Sequence, residues 1–248
     1  MKYIASCSCG KDSLAMILSI IEHEWPLDVV VFFDAGKEFE SIYRNWEKLT
    51  GILEKYGIRY VRLTPDRSFD YYFSEHQVRT RNGKPKKGYS WCGGNCRWMT
   101  TLKVAAINNF YRQFGNETIV EYVGIAKDEL QRIQVKRNDR TVKMYHLVLF
   151  GMTENDCLVK CYKNGFNWME ENGIDLYDVL DRVSCYCCGN KNLKELRAIY
   201  KYLPAYWQKL RDMQAQTEKK FKREESIGQL ELRFDKETEC LDLGKYRK

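Results

Sequence analysis

The stretch Ser8-Cys9-Gly10-Lys11-Asp12-Ser13 lies between the apolar run Tyr3-Ile4-Ala5 and residues Leu14, Ile17, Leu18 and Ile21, which recur at helical spacing. This pattern predicts a strand that turns sharply at a glycine and feeds straight into a helix. Such a junction aims several backbone N–H groups and the positive end of the helix dipole at one small volume, where an anion is stabilised. Lys11 adds a full charge able to follow a phosphate. Ser8 and Ser13 bring hydroxyl donors, and Asp12 can hold magnesium or cap the helix. The six residues on their own also fit an ordinary serine-capped helix start, so the rest of the chain has to decide.

Downstream, strand and helix patterns alternate. Leu27 to Phe33 is almost continuously apolar, as in a strand buried on both faces of a parallel sheet. Ile42, Trp46, Leu49, Leu53 and Tyr56 follow at helical spacing with Gly57 in the stop position, and Tyr60 to Leu63 reads as the next strand. Cys96 to Phe114 is a second long helix closed by Gly115, and Thr118 to Ile125 is another strand. Leu147 to Leu149 also reads as a strand. The expected fold is α/β, a Rossmann-like, doubly wound, mostly parallel sheet. In such sheets ligands lie beyond the carboxyl ends of the strands, where the loop, Asp34 and the turn from Gly124 to Arg132 would converge.

Beyond Phe150 the pattern becomes helical. Thr153 is a good N-cap with Asp156 three residues on, and helices are expected over Asn192 to Tyr202, Pro204 to Phe221 and Glu218 to Glu225. No proline-, glycine- or serine-rich tract separates the parts. The expected division is a nucleotide-binding α/β domain over residues 1–183 and a cysteine-containing helical C-terminal extension over 184–248 packed on it. With 248 residues, 44% of them hydrophobic, and four prolines, the chain can bury one good core or one core plus a small appendage. No apolar stretch reaches membrane-span length and Met1-Lys2-Tyr3 enters a strand at once, so the expected location is cytoplasmic, without a membrane partner. The oligomeric state is not readable from the sequence.

The net charge of +7 is unevenly spread. From Gln77 to Lys103 there are seven basic residues, Arg79, Arg81, Lys84, Lys86, Lys87, Arg97 and Lys103, and no acidic one. Glycines and Pro85 make the first part read as a mobile loop, with Tyr89, Trp91 and Trp98 interleaved. That mixture can neutralise phosphates and stack on a base, whether of a nucleotide, a tRNA or a DNA. A solvated basic loop without a ligand is the alternative.

Ten cysteines without a secretory signal argue for reduced thiols, some of them used on a metal or in redox chemistry. Cys92-x-x-x-Cys96 and Cys185-x-Cys187-Cys188 have metal-like spacing, and Cys92, Cys96, Cys185 and Cys188 together would form a four-thiolate site. Zinc and a 4Fe-4S cluster both suit four thiolates; buried structural thiols, or a Cys187–Cys188 redox pair, are the other readings. Cys7, Cys157 and Cys161 read as core residues. Cys9, at a helix N-terminus beside Lys11, reads either as thiolate-prone or as inert packing. His23, His76 and His146 sit in no recognisable catalytic arrangement.

The loop resembles the SGGKDS loop of the PP-loop ATP pyrophosphatases, and the rest of the chain resembles their phosphoadenosine-phosphosulfate (PAPS) reductase-like branch. The similar segments are Val29 to Phe39 with Asp34-Ala35-Gly36, Gly124-Ile125-Ala126-Lys127-Asp128-Glu129 with Arg132, Tyr145-His146-Leu147-Val148, Thr153-Glu154-x-Asp156, and Ser184-Cys185-Tyr186-Cys187-Cys188, in the family's order. Cys9 replaces the family's first loop glycine, which calls into question a left-handed backbone there.

The resemblance implies an adenine nucleotide, ATP or PAPS, bound by Ser8, Cys9, Gly10, Lys11, Asp12, Ser13, Asp34, Gly36 and Gly124. Lys11 and Asp12 would act catalytically with magnesium, held by Asp12 and also by Asp34, while Arg97, Lys103, Lys127, Asp128, Glu129 and Arg132 would grip the second substrate. Three functions follow. One is ATP cleavage at the α-phosphate that adenylates an acceptor for sulfur insertion, with a sulfur-donor protein as partner. Another is reduction of adenylyl sulfate or PAPS to sulfite with Cys240 as nucleophile. The chain keeps the lysine that such reductases tend to lose and lacks their C-terminal histidine, although Glu239-Cys240 is a partial echo. The third is a non-catalytic nucleotide- or nucleic-acid-binding regulator.

Overall fold

The computed structural model describes residues 1–80, 82–92, 96–133 and 140–245, those after 237 by backbone alone. In chain order the first half comprises β1 (Lys2–Cys7), α1 (Lys11–Glu22), β2 (Val29–Phe33), α2 (Glu40–Lys55), β3 (Arg59–Leu63), the short strands β4 (Gln77–Arg79) and β5 (Pro85–Lys87), and α3 (Arg97–Tyr111). The second half comprises β6 (Ile119–Tyr122), β7 (Thr141–Met144), α4 (His146–Leu149), α5 (Glu154–Lys163), α6 (Leu176–Val179), α7 (Leu193–Tyr202), α8 (Pro204–Ala215) and α9 (Ile227–Lys245). The chain divides into two compact units, one of Met1–Pro65 with Leu102–Glu170 and one of Asp66–Thr101 with Glu171–Lys248.

The first unit holds a five-stranded sheet in the order β3-β2-β1-β6-β7, with every neighbouring pair parallel. Parallel strands buried on both faces need helices on both sides, and the residues supply them. On one face Ile4, Val29, Val31 and Ile119 pack with Ile107, Phe110 and Tyr111 of α3. On the other, Phe32 meets Trp46 of α2 with ring centroids 5.0 Å apart. Strand order runs outward from β1 in both directions, so the switch point lies between β1 and β6, where the loops after both strands open a crevice.

Two local expectations change. Leu147 to Leu149 belongs to helix α4, because β7, whose alternation is too weak to flag, already closes the sheet edge; three apolar residues cannot tell helix from strand. The helix expected over Pro204 to Phe221 ends at Ala215, and residues 218–225 form bends before α9 instead of a helix. Other signals translate directly: Thr153 and Asp156 form a reciprocal capping box on α5, Asn192 and Glu195 form one on α7, and Pro204 opens α8. Among the described residues no helix is long and apolar enough to cross a membrane.

His146 is fully buried between Trp25, Tyr122 and Phe150, with ring centroids 4.0, 4.8 and 5.3 Å away. Neither ring nitrogen has a hydrogen-bond partner among the described residues. Burial, reinforced by nearby His23, pushes its pKa down to about 4. An unfolded histidine takes up its proton near pH 6.5, so stability drains away as pH falls from there toward 4. The expected loss between pH 7 and pH 4.5 is about 2 kcal/mol through this residue. Urea denaturation at the two pH values should show a correspondingly flatter dependence for His146→Phe, and equal slopes for variant and wild type would refute the assignment.

Candidate functional site

After β1 the chain makes the turn Ser8-Cys9-Gly10 and enters α1 at Lys11. Cys9 does adopt a left-handed backbone, with φ of 55°. A side chain at such a φ costs roughly 1 kcal/mol, so the surroundings must hold it. They do: the Cys9 carbonyl accepts a 2.9 Å hydrogen bond from the buried Trp168 indole, and its N–H reaches the Cys7 sulfur at 3.3 Å. The Cys9 side chain is fully buried, and burial drives its pKa well above the ordinary thiol range. The thiolate-prone reading is thereby corrected: desolvation outweighs the helix N-terminus and Lys11.

The serines tie the loop internally. Ser13 Oγ donates to the Gly10 carbonyl at 3.1 Å and accepts from Ser8 N–H at 3.1 Å, with Ser8 Oγ 3.2 Å away. Across the switch point, Gly124 closes onto the start of α1. A Cβ there would lie 2.9 Å from Ser13 N and 3.0 Å from Asp12 C, both of them backbone atoms that cannot give way cheaply. Gly124→Ala is therefore expected to lose about 1–3 kcal/mol in thermal unfolding and to weaken ATP binding measured by calorimetry. Unchanged values on both counts would show that the two loops part easily.

Lys11 is 7% exposed. Its Nζ stands 2.8 Å from Glu154 Oε1 and 3.5 Å from Asp12 Oδ1. Burial opposes its charge, yet the Glu154 hydrogen bond and the Asp12 charge hold its pKa above the ordinary value. Asp12, Glu129 and Glu154 each bring one carboxylate oxygen to within 4.8 Å of the others. Burial, helped by Glu154 and Glu129 and opposed by Lys11, lifts Asp12 to about pH 6. Hard oxygen donors at this spacing fit magnesium. The N-terminus of α5 completes the site, with Asp128 accepting the Glu154 N–H at 3.1 Å and Arg132 paired to Glu129.

Of the expected site residues, the structure thus gathers Ser8, Cys9, Gly10, Lys11, Asp12, Ser13, Gly124, Asp128 and Glu129. Arg132 is engaged by Glu129, and Lys127 donates its N–H to Met152 O at 2.8 Å. Asp34 is fully occupied: Oδ1 accepts Gly36 N–H at 2.7 Å and Tyr43 OH at 3.0 Å, and Oδ2 accepts Arg62 Nε at 3.1 Å and Nη2 at 2.5 Å. It fastens the loop after β2 and has little coordination left for magnesium. Lys103 lies on α3 in the first unit, while Arg97, at the start of α3, is exposed and belongs to the second. Cys240 lies in α9 beyond the residues whose side chains are described, and Arg81 also falls outside the described residues. Glu154 and Trp168 are the residues that sequence reasoning missed; Glu154 was in view within Thr153-Glu154-x-Asp156 but read only as part of a helix start.

The cysteine sets of the second unit do approach one another. The thiols of Cys92 and Cys96 are hydrogen-bonded, and this bond, with the Arg97 N–H and the charge of Lys219, lowers Cys92 to about 6 despite burial. Cys96 also feels Cys187, while Cys185, Cys187 and Cys188 surround Lys191, which is 2% exposed. Tetrahedral zinc would need sulfurs about 3.8 Å apart. Among the described residues no three cysteine sulfurs lie within 4.8 Å of one another, and a set of thiolates is a donor set for either zinc or an iron–sulfur cluster.

A strand–loop–helix junction at the switch point of a parallel sheet, with a buried lysine and three carboxylates beside it, marks a Rossmann-like α/β protein. The phosphoadenosine phosphosulfate reductase domain model matches residues 2–149, and the chain belongs to that family. It is 25% identical over 217 residues to the uncharacterized protein MJ0066 of Methanocaldococcus jannaschii, a match covering 82% of this chain. The chain spans 39% of that relative's length. Among solved structures it is similar to the U34-tRNA thiolase NcsA of Methanococcus maripaludis with its 4Fe-4S cluster, at a TM-score of 0.43 and 14% identity, covering 67% of this chain and 58% of that one.

Proposed function

We propose that the chain binds ATP through Ser8 to Ser13 and cleaves it at the α-phosphate, adenylating an acceptor so that sulfur can replace oxygen. The observation that carries this reading is the buried Lys11, held at the N-terminus of α1 among Asp12, Glu129 and Glu154. An acceptor oxygen attacks the α-phosphorus and pyrophosphate leaves; this step needs alignment and charge neutralisation more than a general base. Lys11 and the loop amides stabilise the departing pyrophosphate. Asp12, with Glu129 and Glu154, would hold magnesium, which supplies Lewis acidity to the phosphate oxygens.

Cys92, Cys96, Cys185 and Cys188, with Cys187 beside Cys96, would hold a 4Fe-4S cluster, which when bound supplies electrons or a Lewis-acidic iron. Lys191 and Lys222 place positive charge beside these thiols. The acceptor is a nucleic acid, tRNA or DNA, engaged through the basic segment 77–103, with a sulfur-donor protein as second partner. The reductase alternative rests on Cys240, whose side chain lies outside the described residues.

The test is pyrophosphate and AMP release from magnesium ATP by anaerobically purified protein, with and without tRNA or DNA, against Lys11→Ala. Lysine-dependent release is expected. Absence of release under every condition, together with thiol-dependent sulfite formation from PAPS, would replace this reading by the reductase one.

A further inference from the structure

The basic segment does not form the loop that its glycines suggest. Arg79 and Lys87 lie on the short antiparallel hairpin β4–β5, with Gln77 opposite Lys87, Val78 opposite Lys86 and Arg79 opposite Pro85. Residues opposite or two apart share a face, so Arg79 and Lys87 project from one side and Lys86 from the other. Thr80 closes the turn by bonding the Lys84 carbonyl at 2.8 Å. Arg79, Lys84, Lys86 and Lys87 are all exposed, and none of the four makes an ion pair among the described residues.

The base of the hairpin is bolted to a column of aromatic rings. A π-helical turn, Tyr71–Glu75, receives the chain after β5: Gly88 N–H bonds His76 O at 2.8 Å, Tyr89 N–H bonds Tyr72 O at 2.9 Å and Ser90 N–H bonds Phe73 O at 2.9 Å. Only glycine fits at position 88, where φ is 65° and a Cβ would come 2.1 Å from the Phe73 carbonyl oxygen. This close crossing packs Tyr89 parallel to Trp98, at 5.5 Å and 8°, and to His76, at 5.3 Å and 18°, with Tyr72 5.1 Å from His76 and 6.2 Å from Trp98. Trp91 and Trp98 are buried, so they support the column and do not themselves receive a base. His76 is half-exposed, with Tyr71 edge-on at 5.9 Å, and the Arg67 guanidinium lies 5.8 Å over the Tyr71 ring.

We infer that this hairpin and column form a docking surface for single-stranded nucleic acid: Arg79, Lys84, Lys86 and Lys87 neutralise successive phosphates while an unpaired base stacks on His76 and Tyr71. Unpaired cations on a two-stranded ribbon match a phosphate backbone in charge, and half-exposed His76 and Tyr71 beside it offer ring surface to a base released from its helix. A duplex keeps its bases stacked on one another and offers none to His76. The inference deepens the nucleic-acid acceptor of the proposed function and rests on that part of it alone.

Fluorescence anisotropy of labelled oligo(U) and oligo(dT) strands of about 15 nucleotides, beside a duplex of equal length, tests it at several salt concentrations. Single strands should bind more tightly than the duplex, with comparison of oligo(U) and oligo(dT) telling RNA from DNA. Changing Arg79, Lys84, Lys86 and Lys87 together to glutamine should flatten the log–log salt slope by about 3. His76→Ala, a surface change that leaves the Tyr89 stack on Trp98 intact, should weaken binding about fivefold to a hundredfold. Duplex binding as tight as single-strand binding, or full affinity in the quadruple variant, would overturn the inference. Single-strand binding without ATP cleavage would thus spare this surface and sink the proposed reaction, and cleavage without binding would do the reverse.

Discussion

Lys11→Ala should lower pyrophosphate release from ATP by about a hundredfold to a thousandfold, the effect of deleting one preorganised charge at a developing anion. The effect is expected to exceed that of a surface lysine because Lys11 is desolvated and pinned by Glu154 at 2.8 Å, so no reorganisation is needed when charge builds on the leaving group. Its removal also leaves Asp12 and Glu154 without their internal counter-charge, while Glu129 keeps Arg132, and this sharpens the need for a bound cation. Glu154→Gln provides the internal comparison. It frees the lysine without deleting it and should cost far less. Single-turnover measurement of pyrophosphate at saturating magnesium ATP reads both. Equal losses in the two variants would mean that the ion pair, and not the lysine, is what matters.

Trp168→Ala should destabilise the fold more than Gly124→Ala does, by about 3–5 kcal/mol in urea denaturation. The indole is completely buried and its N–H satisfies the Cys9 carbonyl, so truncation opens a cavity and also strands a loop acceptor. Trp168→Phe keeps most of the volume and loses only the hydrogen bond; about 1–3 kcal/mol is expected for that atom alone. Both variants should weaken ATP binding, because the left-handed Cys9 would relax. If Trp168→Phe bound ATP like wild type, the indole hydrogen bond would have no part in shaping the loop.

The parallel-sheet unit of the molecule was readable because its signals are local. The glycine after β1, the continuous apolar run of β2 and the Thr153–Asp156 box each constrain a few consecutive residues, and each forms as expected. The parts that were not readable depend on distant neighbours. Nothing around Cys9 announces that Trp168, 159 residues away in sequence, makes a left-handed cysteine tolerable. The same holds for the approach of Glu154 to Lys11 across 143 residues, and for Gly88 turning a glycine-rich segment into a hairpin against Phe73. The resemblance offered Asp34 as a magnesium ligand, yet Arg62 and Tyr43 bind its carboxylate.

The clamp on the phosphate loop reaches past the segment by which the chain is classified. The family match ends at residue 149, yet the loop is held from beyond it, by Trp168 on the carbonyl of the left-handed Cys9 and by Cys161, whose thiol donates to the Lys11 carbonyl at 3.3 Å. A truncation at the family boundary would therefore carry every loop residue and still lack a finished binding site. The smallest piece expected to hold a nucleotide runs past Trp168 to the end of the first unit at Glu170. In relatives, the identity of the second loop residue should change together with that of the residue facing it from this distant segment, glycine needing no such partner and cysteine requiring one.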